Sequence, residues 1–195
     1  MKIAIFGLTA CGKTYHCNRL ANFFHLKNVS GSSILLKTSK IKKSKEPHFW
    51  IGAGGLNLTR NRLTDPHFDV AADKRILEIA EKENNIVVDS WTVPWLYKRR
   101  DLIRIYIGAS LDARNEMAYL STREKVFTKK ILREKIIEKD LDNFILFKKI
   151  YNINLMNTSI FDTYLDISKN YTNPDKVSEI LYSKIKRLRA KNTVN

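Results

Sequence analysis

Cysteine is almost missing from this chain. Two residues, Cys11 and Cys17, stand among 195, and they form no C-x-x-C pair. That excludes a scaffold stapled by disulfides and leaves both as reduced, small apolar residues of a cytosolic chain. A low-pKa thiol at a helix start is the alternative for Cys11. Long apolar runs are also lacking: none approaches the roughly 20 residues of a membrane span, and a charged second residue followed at once by a strand leaves no room for a signal peptide. A soluble, cytoplasmic protein with no membrane partner is expected. Acidic residues are scarce beside basic ones, 20 against 35, giving a formal net charge of +15. Such an excess suits an anionic substrate or partner. No internal repeat or low-complexity tract is present. With 44% hydrophobic residues, the length suits a single domain, 1–195, with one good core and an inserted mobile segment.

The most specific feature comes first in the chain. Ile3, Ala4, Ile5 and Phe6 form a short unbroken apolar run, the pattern of a strand buried on both faces of a parallel sheet. Gly7-Leu8-Thr9-Ala10-Cys11-Gly12-Lys13-Thr14 then meets G-x-x-x-x-G-K-[ST] at each fixed position, and Leu20, Phe23, Phe24 and Leu26 recur at roughly helical spacing. A loop that wraps a phosphate must turn successive backbone N–H groups inward, which needs small residues at its tightest points. Gly7 and Gly12 meet that need, with Thr9, Ala10, Cys11, Lys13, Thr14 and Tyr15 completing the expected ATP-phosphate cradle. The helix N-terminus adds its own N–H groups and dipole. Lys13 brings a charge to the β- and γ-phosphates, and the Thr14 hydroxyl is the expected Mg2+ ligand.

Further along, Ile34 to Leu36 between serines predicts a second strand. Lys37, Lys40, Lys42, Lys43 and Lys45 crowd one stretch, and Pro47, Gly52, Gly54 and Gly55 predict loop with short helical pieces over 37–68. From Asp69, apolar residues at 72, 76, 79 and 80 predict an amphipathic helix, leading into the buried strand IVVD. Ligands of open α/β sheets sit beyond the strands' carboxyl ends, so Asp89 should face the same crevice as the glycine loop. It would hold Mg2+ through water, bind an acceptor, or cap the next segment. Leu102 to Ile107 predicts a strand, the segment after Ser110 a helix, Thr163 to Ile167 a last strand, and the residues after Asn173 a basic C-terminal helix. Residues 121–150 lack glycine and proline and predict two helices or one long broken one. Their cations Arg123, Lys129, Lys130 and Arg133 are either a solvated face paired with Glu124, Glu134 and Glu138, or a lid that closes over a transferring phosphoryl group. The alternation of strand and helix predicts a doubly wound α/β fold.

This order of elements resembles a nucleoside monophosphate kinase, and more closely the short archaeal type of cytidylate kinase. The resemblance rests on the early P-loop, Asp69 and Asp73 in FDVAAD, Asp89 and Trp95 in VVDSWTVPW, Arg123-Glu124 and Arg133-Glu134, and Tyr151 to Asp162 in YNINLMNTSIFD. It runs collinearly from residue 2 to about residue 185. It implies a P-loop kinase of three layers, a central parallel sheet between helices, with core segments 1–36, 69–120 and 151–190. Residues 37–68 would be the acceptor-binding region and 121–150 the helical lid. It also implies ATP-dependent transfer of a phosphoryl group to a nucleoside monophosphate, CMP or dCMP first. Lys13, Arg123 and Arg133 would be catalytic; Asp69, Asp89 and Trp95 would line the acceptor side, with Lys37 and Arg60 on its phosphate. Several positions depart from the family pattern. Trp91 stands where arginine is usual, Leu146-Phe147 where R-Y is usual, Lys37 is the nearest cation to another usual arginine, and Asn154 replaces a common aspartate. Because arginine grips phosphate in a bidentate way that these residues cannot reproduce, the scaffold is better supported than the acceptor. A non-catalytic relative is therefore one alternative. Another starts from the basic clusters 37–45, 98–100 and the tail KIKRLRAK, an RNA-binding surface on an NTP-dependent factor of adenylate-kinase-like type. Nothing in the sequence chooses between monomer and dimer.

Overall fold

The first strand, β1 (Lys2–Phe6), is buried at each of its five residues, as the middle strand of a parallel sheet requires. The computed structural model describes residues 1–41, 49, 50, 52–121 and 127–192. After β1 come α1 (Lys13–Phe24), β2 (Lys27–Ser30), α2 (Gly31–Thr38), α3 (Ala53–Thr64) and α4 (His67–Lys82). The second half runs β3 (Ile86–Asp89), α5 (Val93–Leu96), β4 (Leu102–Gly108), α6 (Leu111–Leu120), α7 (Lys129–Tyr151), β5 (Thr163–Asp166) and α8 (Pro174–Asn192). The five strands are parallel in the order β2-β3-β1-β4-β5. Ile5 is in register with Asp89 on one side and Ile105 on the other, so β1 and β3 end at one level. The chain leaves β1 towards β2 and β3 on one side and later towards β4 and β5 on the other, which makes the β1 end the switch point where α/β proteins bind ligands.

Side-chain alternation along the strands divides the core. Ile3 and Ile5 face α1 and α8, packing with Leu20, Ile105, Leu181 and Ile185, all essentially without exposure. Ala4 faces the other way, with Val29, Ile76, Ala80 and Val88 beneath α4. Truncating one such isoleucine to alanine costs about 2–5 kcal/mol. Cys11 and Cys17 are free and buried, and burial raises both thiols above their ordinary range. That removes the low-pKa reading of Cys11.

Three elements differ from expectation. Ile34 to Leu36 lies inside α2, not in a strand, because the Ser30 hydroxyl accepts from the Ser33 N–H and starts a helix there. The second strand is instead the polar KNVS, an edge strand that buries only Val29 and so carries almost no apolar signal. Within 37–68, α3 is a full helix of 12 residues despite Gly54 and Gly55. A Cβ on Gly55 would collide with the Phe49 carbonyl, so this glycine serves close approach of residues 49 and 50 to the helix. Lys42, Lys43, Lys45 and Pro47 lie outside the described residues. From Lys129 onward the charged segment is one continuous helix of 23 residues, α7. Elsewhere the expected elements form within one or two residues, with Ser110 capping α6 through the Ala113 N–H.

Candidate active site

Beyond the carboxyl ends of β1 and β3 opens a cleft of about 600 Å³. The glycine loop forms its floor. A Cβ on Gly7 would strike the Ile107 carbonyl and the Cys11 sulfur, so only glycine lets the loop pass this close to β4. Gly12, with φ 76°, turns left-handed into α1, and Ala10 at φ 63° does the same two residues earlier. Such alternation points backbone N–H groups at a common centre. The Lys13 ammonium folds over the loop, donating to the carbonyls of Gly7 at 2.7 Å and Leu8 at 3.0 Å, with the Trp91 ring centroid 5.4 Å away. The Thr14 hydroxyl donates to Asp89 Oδ2 at 2.7 Å. The strand-end acid therefore meets the loop threonine directly.

A second layer fixes the loop from above. Asp140 on α7 accepts the Thr9 N–H at 2.9 Å and an Arg114 Nη1 donor at 2.5 Å, while Arg114 also donates to the Thr9 carbonyl at 3.0 Å. Both charged side chains are buried, so removing either one strands the other and costs about 3–5 kcal/mol. Sequence reading assigned neither residue a role.

Across the cleft lie Arg62, Asp69 and Asp73. Arg62 donates to Asp69 through Nε at 2.9 and 3.1 Å and through Nη2 at 2.6 Å, a two-pronged pair that is almost fully buried. Asp73 accepts from the Thr92 hydroxyl at 2.6 Å and the Tyr151 hydroxyl at 2.8 Å. Burial outweighs both hydrogen bonds and raises its carboxyl to about 6. The Tyr151 hydroxyl is in turn raised, first by burial and then by the Asp73 charge. Lys139 on α7 completes the wall, its ammonium 4.6 Å from the Trp50 ring centroid. Burial drives its pKa well below 10.5, and the positive charges of Lys13 and Arg62 push the same way. Among the described residues no carboxylate lies within ion-pair reach of Lys139.

Of the residues singled out from sequence, Thr9, Ala10, Gly12, Lys13, Thr14, Asp69 and Asp89 line this cleft. Gly7 and Cys11 belong to the loop but are buried and do not line the cleft. Tyr15 is exposed, its hydroxyl 3.4 Å from Asp175. Lys37 is exposed on the last turn of α2 and Arg60 on α3 points to Glu138 at 3.3 Å; neither lines the cleft. Trp95 packs edge-on against Phe6 and Phe161, behind the wall rather than on it. Arg133 pairs with Asp112, and Arg123 lies outside the described residues. The residues missed are Arg62, Lys139 and Asn143, while Asp73 and Trp91, quoted from the sequence without a site role, join them in the lining. A signal for them existed. Leu132, Ile136, Leu146 and Phe147 set the inward stripe of α7, and helical spacing puts Lys139, Asp140 and Asn143 on that same stripe. On α4 the inward Ala72, Ile76 and Ala80 do the same for Asp69 and Asp73. A charge on a buried stripe is the informative exception.

Comparison with known proteins agrees with this geometry. Residues 2–169 match the cytidylate kinase-like family. The cytidylate kinase of Sulfurisphaera tokodaii is 30% identical over 193 residues, 98% of this chain and 99% of that one. That of Pyrococcus furiosus is 27% identical over 186 residues, covering 95% and 88%. Among solved structures, shikimate kinase from Bacteroides thetaiotaomicron superposes with a TM-score of 0.61 at 10% identity, covering 95% of this chain and 98% of that one, a likeness of fold. With a phosphate loop at the sheet's switch point and a match of this extent, the chain belongs to the cytidylate kinase-like family of nucleoside monophosphate kinases.

Proposed function

We propose that this kinase transfers the γ-phosphoryl group of ATP to CMP or dCMP. The carrying observation is one cleft that has the glycine loop, Lys13 and Thr14 on one side and Arg62, Asp69 and Asp73 on the other, with Lys139 in the same lining. Such a reaction passes through a loose transition state, so it asks for position and positive charge rather than a general base. Lys13 would exchange its two carbonyl partners for β- and γ-phosphate oxygens. Lys139, already pressed by Lys13 and Arg62, gains most from an arriving polyanion, which relieves the repulsion among the three cations. Arg62, held in a fixed orientation by Asp69, would face the acceptor phosphate, and Asp73 would accept a hydrogen bond from the acceptor. Thr14 and Asp89 offer two hard oxygen donors, a set that suits Mg2+, whose charge would neutralise the bridging phosphates when bound. The acceptor choice draws its support from the relatives, whose name is cytidylate kinase. A coupled ADP-release assay with ATP and each ribo- and deoxynucleoside monophosphate in turn tests it. Turnover should be highest with CMP or dCMP; a clear preference for AMP, GMP or UMP would overturn the acceptor assignment.

A further inference from the structure

Helix α7 turns its buried stripe, with Lys139 and Asn143 on it, towards the cleft, and its opposite side carries an exposed apolar stripe with charged ends. Ile137, Leu141 and Ile145 are 39%, 53% and 58% exposed, high for residues spaced four apart on one helix. Glu134 lies three residues before this group and Lys148 three residues after it, both exposed. At about 100° per residue all five fall within roughly 40° of Leu141, a strip about 21 Å long. Neither Glu134 nor Lys148 has an ion-pair partner among the described residues. Lys139 and Asn143 sit roughly 160° around the helix from Leu141, facing the cleft.

The order Glu-Ile-Leu-Ile-Lys is symmetric in its apolar residues and opposite in charge at its ends. We propose that two copies of this chain pair antiparallel through α7, about a two-fold axis at Leu141. Under that operation Ile137 packs on the partner's Ile145, and Glu134 meets the partner's Lys148 twice over, once on each side. Parallel pairing would set Glu134 against Glu134 and Lys148 against Lys148, so the charges select the antiparallel arrangement. A lipid surface favours cations along the rim of an apolar stripe, and Glu134 closes one end here. Because the cleft lies on the far side of α7, pairing leaves both clefts open. One helix pair buries less than the roughly 800 Å² per partner of a standard stable interface, so the dimer should dissociate in the micromolar range.

The test is sedimentation velocity of the full chain from about 5 to about 500 μM near physiological salt. The expected result is a concentration-dependent shift towards twice 22.7 kDa. Leu141→Glu should stay monomeric throughout, with an unchanged circular dichroism spectrum. Glu134→Lys alone and Lys148→Glu alone should each weaken the dimer about three- to tenfold, and the two together should restore it, since the pairing is merely reversed. The charge variants leave the helix core alone and decide the matter even where Leu141→Glu fails to fold. A chain that stays monomeric at the highest concentration, a dimer that survives Leu141→Glu, or a double swap that does not restore pairing would overturn the proposal. Co-sedimentation of a monomeric chain with anionic vesicles, lost in Leu141→Glu, would assign the stripe to a lipid surface and overturn it too.

Discussion

Asp73→Asn isolates the cost of holding a charge in the wall of the cleft. The Asp73 carboxyl moves from 3.8 to about 6 because burial disfavours its ionised form more than Thr92 and Tyr151 favour it. Between pH 3.8 and about 6 the folded chain keeps a proton that the unfolded chain has released. Stability therefore falls as pH rises through that window, and above it the ionised carboxylate costs about 3 kcal/mol, two pKa units at roughly 1.4 kcal/mol each. Asparagine has nearly the same shape and no charge. Its carbonyl keeps the Thr92 hydrogen bond, and its amide can donate to the Tyr151 hydroxyl, which turns to accept. Thermal denaturation of wild type and Asp73→Asn should give nearly equal midpoints at pH 4. The variant should gain as pH rises, by up to about 6–12 °C at pH 8, at 2–4 °C per kcal/mol for a chain of this size. Acceptor KM should rise in the same variant while ATP binding is kept. A difference in midpoint that does not change between pH 4 and 8 would refute the reasoning, because packing or hydrogen bonding would then set the stability instead of the charge.

Lys13→Ala should leave the fold intact and lower turnover by several powers of ten, since the lost charge acts chiefly on the transition state; near-normal turnover in a folded variant would dismiss the loop as the catalytic phosphate site. Lys139→Met should raise the melting midpoint at pH 7 while lowering kcat by about 10²–10³-fold. The folded chain binds fewer protons at Lys139 than the unfolded chain does, so the stability gain should fade as pH climbs towards 10.5, and a variant unchanged in both readouts would remove Lys139 from the site. Trp91→Arg should lower the melting midpoint without improving kcat/KM for CMP, because the ring packs edge-on to Phe6 and stacks with Phe147; a stable variant with better CMP kinetics would show a lost phosphate ligand instead. RNA should bind weakly, with salt-sensitive affinity, and leave ATP turnover unchanged; strong stimulation at physiological salt would favour a factor that acts on RNA.

The sheet was largely legible because its inner strands are short apolar runs with no competing pattern. Ile3 to Phe6, Ile86 to Val88 and Leu102 to Ile107 are such runs, rich in β-branched residues and short enough for strands. The edge strand β2 was not legible, since an edge needs only one buried side chain, and Val29 is that residue. Its place was taken in sequence by Ile34 to Leu36, whose apolar character serves the helix α2 instead, packed towards α4. The floor of the site was readable because a phosphate loop is made by contiguous backbone. The walls were readable only in part, at Asp69 and Asp89, because Arg62, Lys139 and Asn143 come from helix faces distant in sequence, where position and not residue type decides. Charge near the middle of the chain looked functional at Arg60 and Arg133, yet these are exposed and paired with Glu138 and Asp112. Arg62 lies two residues from Arg60, and two residues on a helix is about half a turn. That half turn separates solvent from the cleft.

Three of the five positions that depart from the family resemblance lie together, whereas Lys37 is exposed on α2 and Asn154 is exposed after α7. Trp91, Leu146 and Phe147 sit in one aromatic cluster with Phe6 and Tyr106, Leu146 being fully buried and Phe147 nearly so. An arginine at Leu146 would enter an apolar wall, and burying an unpaired cation costs far more than a single phosphate contact returns. Positive charge for a polyphosphate and a monophosphate together then has to come from elsewhere in the cleft. Among the described residues three cations line it, Lys13 on the loop, Arg62 on α3 and Lys139 on α7; burial first, and then the charges of Lys13 and Arg62, lower the pKa of Lys139. A cleft that stores such repulsion in the free protein is stabilised by the anions it receives, whichever base the acceptor carries.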